Sequence, residues 1–247
     1  MSSKRIYEII IGTLFFISTI SYIIGNSILE DKLLSKNLLN DFYSNKTIIL
    51  TGIFFELLNC ACVISIGILM IQFIKNHNYS ISIIYFSCRL IEGLLLIISA
   101  ISPYFILKLS NIYLDNKKFN IKNEEFNLSI DIVGRLLSEG YFIFFKLAMA
   151  FLSLGSIVLC LLLLKSNIIP KILSVFGIIG YISLLLHVVL NIIGYEIGMI
   201  LFAPGAVFEI IFPLNLIING FNDSVGELNL SNNSESQKEI IKKELIN

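Results

Sequence analysis

Six ionisable side chains stand in stretches of this 247-residue chain that are otherwise almost wholly hydrocarbon: Glu56, Arg89, Glu92, Lys146, His187 and Glu209. Carboxylates and a guanidinium in such surroundings can pair, take up a proton or hold a cation. His187 with Asn191 offers a helical His/Asn pair, and the glutamates offer general bases or metal ligands. Arg89 and Glu92 are three residues apart, which on a helix puts them on one face and within reach of each other. Insertion scales set Asp, Lys or Arg at a membrane-helix centre at about 2.5–3.5 kcal/mol, so these groups must face a protein interior or water and generally need a partner.

The elements that hold them follow from composition. Mean hydropathy is +0.85, and 15% of residues are charged, against roughly 25% in a soluble domain. Too few polar residues remain to cover a soluble core, so lipid must do the covering. A hydrocarbon layer about 30 Å thick asks for roughly 20 apolar helical residues. Six stretches meet that length, at about 6–29, 47–73, 81–106, 141–164, 172–193 and 199–220. The reading is an all-α, polytopic transmembrane bundle of six helices over residues 1–222, followed by a polar cytoplasmic tail over residues 223–247.

The first span follows Lys4 and Arg5 but is too long for a signal peptide and lacks a small-residue cleavage site, so it is expected to stay. The links Lys75-Asn76-His77-Asn78 and Lys165 to Lys171 are short, with Lys and no acid. The positive-inside rule assigns them, and with six spans both termini, to the cytoplasmic side of the cell membrane. Longer loops are expected opposite, at 30–46 and 107–140, where basic residues mix with Glu30, Asp31, Asp41 and Asp131. In the tail, Ser236-Gln237-Lys238-Glu239 forms a capping-box pattern ahead of Ile240 and Ile241. A solubilising tail and a short amphipathic helix are its two readings.

Polar residues within the spans recur at helical steps: Ser82, Tyr85, Arg89, Glu92 and Ser99 in the third, and Gly180, Ser183, His187, Asn191 and Gly194 in the fifth. Thr19, Tyr22 and Asn26 do so in the first, as do Glu56 and Asn59 in the second. These faces should point inward, where small and hydroxyl residues let membrane helices approach closely. Helical rise places Glu92 and Glu209 near mid-span, with Glu56 and His187 about 6–7 Å toward the outer side, so all four share one layer. Lys146 is expected to snorkel to the outer surface. Three glutamates against one arginine leave a surplus of negative charge that a proton or a bound cation would relieve. Pro103, Pro204 and Pro213 offer helix breaks of the kind used at membrane binding sites.

Other classes are set aside. With a net charge of zero and no basic tract, the chain carries no footprint for nucleic acid. Cys60, Cys62, Cys88 and Cys160 lie in apolar runs and read as small hydrophobes. A single membrane histidine is thin for zinc, and GxSxG, HExxH, phosphate-loop and nucleotide fingerprints are missing. No catalytic residue, metal or cofactor is assigned.

Several of these residues also carry a family likeness. Arg5-Ile6-Tyr7 leading into Gly12-Thr13-Leu14-Phe15, then Glu56-Leu57-Leu58-Asn59, Arg89-Leu90-Ile91-Glu92, Pro204 to Glu209, and Asn219-Gly220-Phe221-Asn222 together resemble a bacterial integral membrane family catalogued as domain of unknown function family 4386. The resemblance runs to about residue 222 and implies a multi-span membrane protein in which Glu56, Asn59, Arg89, Glu92 and Glu209 are pattern positions. It implies no activity, and His187 and Lys146 match none of its elements. Three functions stay open: a protein that binds or transports a small molecule or ion at a midplane polar site, a structural or accessory membrane subunit held in register by its buried ions, and an intramembrane enzyme. The expected partners are the lipid bilayer and a small-molecule or ion ligand; a protein partner is not legible.

Overall fold

The structure is a computed structural model that describes residues 3–118, 124–195 and 199–222. All regular structure among the described residues is helical: α1 (Ser3–Leu33), α2 (Leu38–Ser44), α3 (Lys46–Ile74), α4 (Tyr79–Lys118), α5 (Glu124–Ser166), α6 (Lys171–Ile193), a 3-10 turn (Met199–Phe202) and α7 (Ala203–Ile218). Six segments, in α1, α3, α4, α5, α6 and α7, are long and apolar enough to cross a bilayer. The chain is a multi-pass membrane protein. The polar tail with its capping-box pattern lies outside the described residues.

Each crossing helix packs on its neighbour in the chain, and α7 closes back onto α1, so the six form a ring. The two short links appear where expected, α3 ending at Ile74 before α4 begins at Tyr79, and α5 at Ser166 before α6 begins at Lys171. At the second link, Asn167 takes a φ of 53°. Buried residues along α1 (Glu8, Ile11, Phe15, Gly25, Leu29, Leu33) recur mostly at three- or four-residue steps, the spacing of one inward stripe. Inside the ring lies a core of Phe15, Ile66, Tyr85, Leu152, Tyr181 and Phe212, among others.

Two expectations are corrected. The segments 30–46 and 107–140, expected as loops, contain helix, because α4 and α5 do not stop at the edge of their apolar runs. At 1.5 Å per residue, the 40 residues of α4 and the 43 of α5 reach roughly 60 Å each, about twice the hydrocarbon thickness. They continue as a helical pair against which α2 folds, burying a second core that includes Leu33, Leu38, Phe42, Ile49, Ile106 and Ile130. Ser138 Oγ donates to Leu33 O at 2.8 Å, and Ser110 Oγ donates to Leu39 O. The helix persists because apolar residues still fall on one face there after the average composition has turned polar. The second correction concerns the sixth span, which is a 3-10 turn running into α7 rather than one helix. Pro204, in the first turn of α7, has no N–H to extend a helix backward. Pro103 and Pro213 sit inside continuous helices and supply no break.

Candidate functional site

The third-span seam is realised: Ser82, Tyr85, Arg89, Glu92 and Ser99 are all buried along one face of α4. Arg89 Nη1 donates to both carboxylate oxygens of Glu92, at 3.1 and 3.0 Å, and Nε donates to the Tyr85 hydroxyl at 3.0 Å. The guanidinium also lies over the Phe15 ring of α1, 5.4 Å from its centroid. Arg89 and Glu92 are 4% and 2% exposed, so the pair satisfies itself almost wholly out of solvent.

Beside this pair is a cavity of about 220 Å³ lined by residues from all six crossing helices. Asn59 of α3 lines it, its Oδ1 accepting from Ser18 Oγ of α1 at 2.6 Å. Glu209 of α7 lines the opposite wall, within electrostatic range of Arg89 and Glu92. Its polar contact is long, with the Tyr181 hydroxyl donating to Oε1 at 3.4 Å. The rest of the wall is chiefly apolar, including Val63, Leu96, Met149, Leu152 and Leu184. Tyr22 of α1, stacked on Phe145 of α5 at 5.3 Å, adds an aromatic wall.

The expected layer therefore divides. Arg89, Glu92, Asn59 and Glu209 meet around one cavity, and Glu56 does not line it. Glu56 accepts from the Tyr141 hydroxyl at 3.2 Å, and that hydroxyl also reaches Asn26 Oδ1 at 3.4 Å. Asn26 in turn donates to Glu30 at 2.8 Å, forming a second polar cluster on α1, α3 and α5. His187 and Asn191 form a third, in which the Asn191 amide donates to His187 Nε2 at 3.2 Å and the imidazole meets the edge of Phe202 at 5.1 Å. Both residues are half-buried and neither lines the cavity. Lys146 is half-buried and within electrostatic range of His187, with no hydrogen bond or ion pair to another described residue. The fifth-span face turns inward only in part: Gly180 is buried and Ser183 donates to Leu201 O at 2.9 Å, but Gly194 is an exposed left-handed cap at φ 101°. The cysteines are all free, three of them buried.

A family model for Domain of unknown function (DUF4386) matches residues 10–220, which takes in the cavity, most of the first crossing segment and the whole of the other five. The chain belongs to this family. Curated proteins and solved structures return no match to the DUF4386 chain.

One functional-looking feature of this DUF4386 chain escaped the sequence reading. Glu8 is buried at 3% exposure and accepts from the backbone N–H of Phe221 at 3.0 Å. Arg5 Nη1 donates to Glu8 at 3.1 Å and to Leu216 O at 2.9 Å, while Nη2 donates to Ile217 O and Ile218 O. The start of α1 thus supplies donors to the last carbonyls of α7, where a cation is favoured. Gly220 is required there, because its φ is 73° and a Cβ would stand 2.5 Å from Glu8 Oε2. A signal was present: Arg5-Ile6-Tyr7-Glu8 repeats the Arg-x-x-Glu spacing of Arg89 to Glu92. The tyrosine hydroxyls of residues 141 and 181, which serve the buried charges Glu56 and Glu209, were the other omission.

Proposed function

We propose that this DUF4386 protein binds a small molecule or ion inside the membrane, in the cavity between Arg89, Glu92 and Glu209, and that transport is the use made of the site. The observation that carries the reading is that Glu209 and the Arg89–Glu92 pair line one cavity of about 220 Å³ drawn from every crossing helix. At roughly 30 Å³ per water in the liquid, that is room for about seven waters or a small ligand. One guanidinium and two carboxyls also give the cavity wall a formal charge of −1, which a cation or a proton would balance.

The alternative, in which the buried ions hold the bundle in register, fits the geometry less well. Arg89 and Glu92 belong to one helix, so their ion pair ties α4 to itself. Around the cavity, bonds between helices come from hydroxyls, such as Ser18 to Asn59 and Ser99 to Tyr141 O, while the charged tie of Arg5 and Glu8 to α7 lies away from it, at the helix ends.

The test is ligand protection of the purified protein against heat, across inorganic cations, organic cations, anions and neutral metabolites, followed by proteoliposome flux of any hit. Protection by one class that is lost in Glu209→Gln supports the reading. No protection by any class, together with silent flux for protons and cations, overturns it.

A further inference from the structure

The cavity is not closed on all sides. Ile23 of α1 and Ile210 of α7 line it, yet they are 55% and 46% exposed, and Ala206, also on its wall, is exposed as well. Within a membrane span, the exposed surface is the one that meets lipid chains. The cavity therefore reaches the perimeter between α1 and α7. The seams made by the short α7 are the slightest in the ring, and α1 and α7 are pinned chiefly toward one end. There, a Cβ on Gly12 would stand 2.5 Å from Ile217 Cγ1, and Phe15 meets Phe212 edge-on at 5.6 Å.

Charge decides what could use such an opening. Arg89 already gives Nη1 to Glu92 and Nε to Tyr85, so its charge is met by its own helix neighbour. Among the described residues, Glu209 has only the 3.4 Å hydrogen bond from Tyr181. The wall also carries the rings of Phe15, Tyr22 and Phe145, an apolar and aromatic lining that suits the body of an organic cation. An anion would meet two carboxyls and an arginine that is already paired. A cation with an apolar body fits both the charge and the lining.

Resting on the binding reading above, we propose that the ligand is an amphipathic organic cation, of the alkylammonium or aromatic amine class, that reaches the cavity from within the bilayer through the α1–α7 opening. Its ammonium head lies at Glu209 and its apolar tail extends past Ile23 and Ile210 toward lipid. The volume limits what is enclosed to about seven water-sized groups, so a longer tail stays in the opening.

The experiment measures heat protection and binding in phosphatidylcholine nanodiscs with four probes: octyltrimethylammonium, tetramethylammonium, octyl sulfate and octanol. Octyltrimethylammonium should bind, with the other three weaker by about tenfold or more, since each lacks the tail or the positive head. Glu209→Gln should lose roughly tenfold or more in affinity for octyltrimethylammonium, the size of a lost charge-assisted contact. Ala206→Phe, on the exposed rim, should weaken or slow binding while leaving the melting temperature of the free protein unchanged. Equal or better binding of tetramethylammonium, octyl sulfate or octanol overturns the proposal, as does undiminished binding by Ala206→Phe and Glu209→Gln. The probe comparison uses the natural chain, so it decides even if Glu209→Gln does not fold. Should a water-confined ligand bind in a Glu209-dependent way, this inference fails and the binding reading stands. Should nothing of any class bind, both fail.

Discussion

Removing Arg89 and Glu92 singly and together separates a pair kept for binding from a pair that braces the bundle. At 3.0 Å and an effective dielectric constant of about 20, the attraction is roughly 5 kcal/mol. Desolvating two ions costs several kcal/mol each, so the intact pair contributes little net stability, whereas stranding one partner costs roughly 3–5 kcal/mol. With about 2–4 °C of melting temperature per kcal/mol in a chain of this size, Arg89→Gln and Glu92→Gln should each melt roughly 6–20 °C lower. The double variant, with two amides able to bond at the same spacing, should return to within about 4 °C of the natural protein. The chain has no Trp, so the assay is a thiol-reactive dye that reports exposure of Cys60, Cys62 and Cys160 on heating. Full recovery of stability with loss of ligand protection is the expected pattern. A double variant as unstable as the singles would refute the reasoning, because the pair would then be bonding the helices in a way that its intrahelical geometry does not explain.

Three further outcomes follow from the same structure. Gly220→Ala forces a side chain into a left-handed backbone and against Glu8, so it should lose about 2–4 kcal/mol, and much less when Glu8 is also changed to Ala; thermal melts of the two singles and the double measure the coupling. Tyr141→Phe leaves Glu56 without its 3.2 Å donor and should cost about 1–3 kcal/mol while ligand binding at Glu209 persists, as titration of the variant would show. Gly180→Val would press on the backbone of Pro204 and Gly205, 3.0–3.1 Å from the added Cβ, and should destabilise by about 1–3 kcal/mol and reduce ligand affinity, since Gly205 lines the cavity.

The crossing helices were legible because a membrane imposes a length and an apolar composition, and both can be read from the residues alone. The face carrying Arg89 and Glu92 was legible for the same reason that it forms: charges in a span must share an inward stripe. The extensions of α4 and α5 were hidden because their sequence after Ile106 and before Tyr141 is mixed in polarity, and only contact with α2 shows which apolar residues are buried. Placing Glu56 in the same site as Glu92 rested on depth alone. Depth says nothing of azimuth around a helix, and Glu56 lies toward Tyr141 of α5 and Gly25 of α1 rather than toward the cavity. Glu8 was overlooked because an acid in the first turns of a span reads as interfacial, and only the returning end of α7 makes that position an interior.

The cavity itself follows from an asymmetry in the last span. At 16 residues, α7 is about 24 Å long, short of a hydrocarbon layer of about 30 Å, and the chain makes up depth with the 3-10 turn before Pro204. Where that turn passes into α7, Gly180 and Gly205 bring α6 and α7 into backbone contact. At its other end, α7 is held to α1 by Arg5, Glu8 and Gly12. Fastened to α6 at its beginning and to α1 at its end, α7 leaves Ile23, Ala206 and Ile210 exposed on the cavity's rim between those two points. Glu209 lies between the two fastening points, about one turn past Gly205 and two before Leu216, so a carboxyl held by a long 3.4 Å contact is set beside the opening.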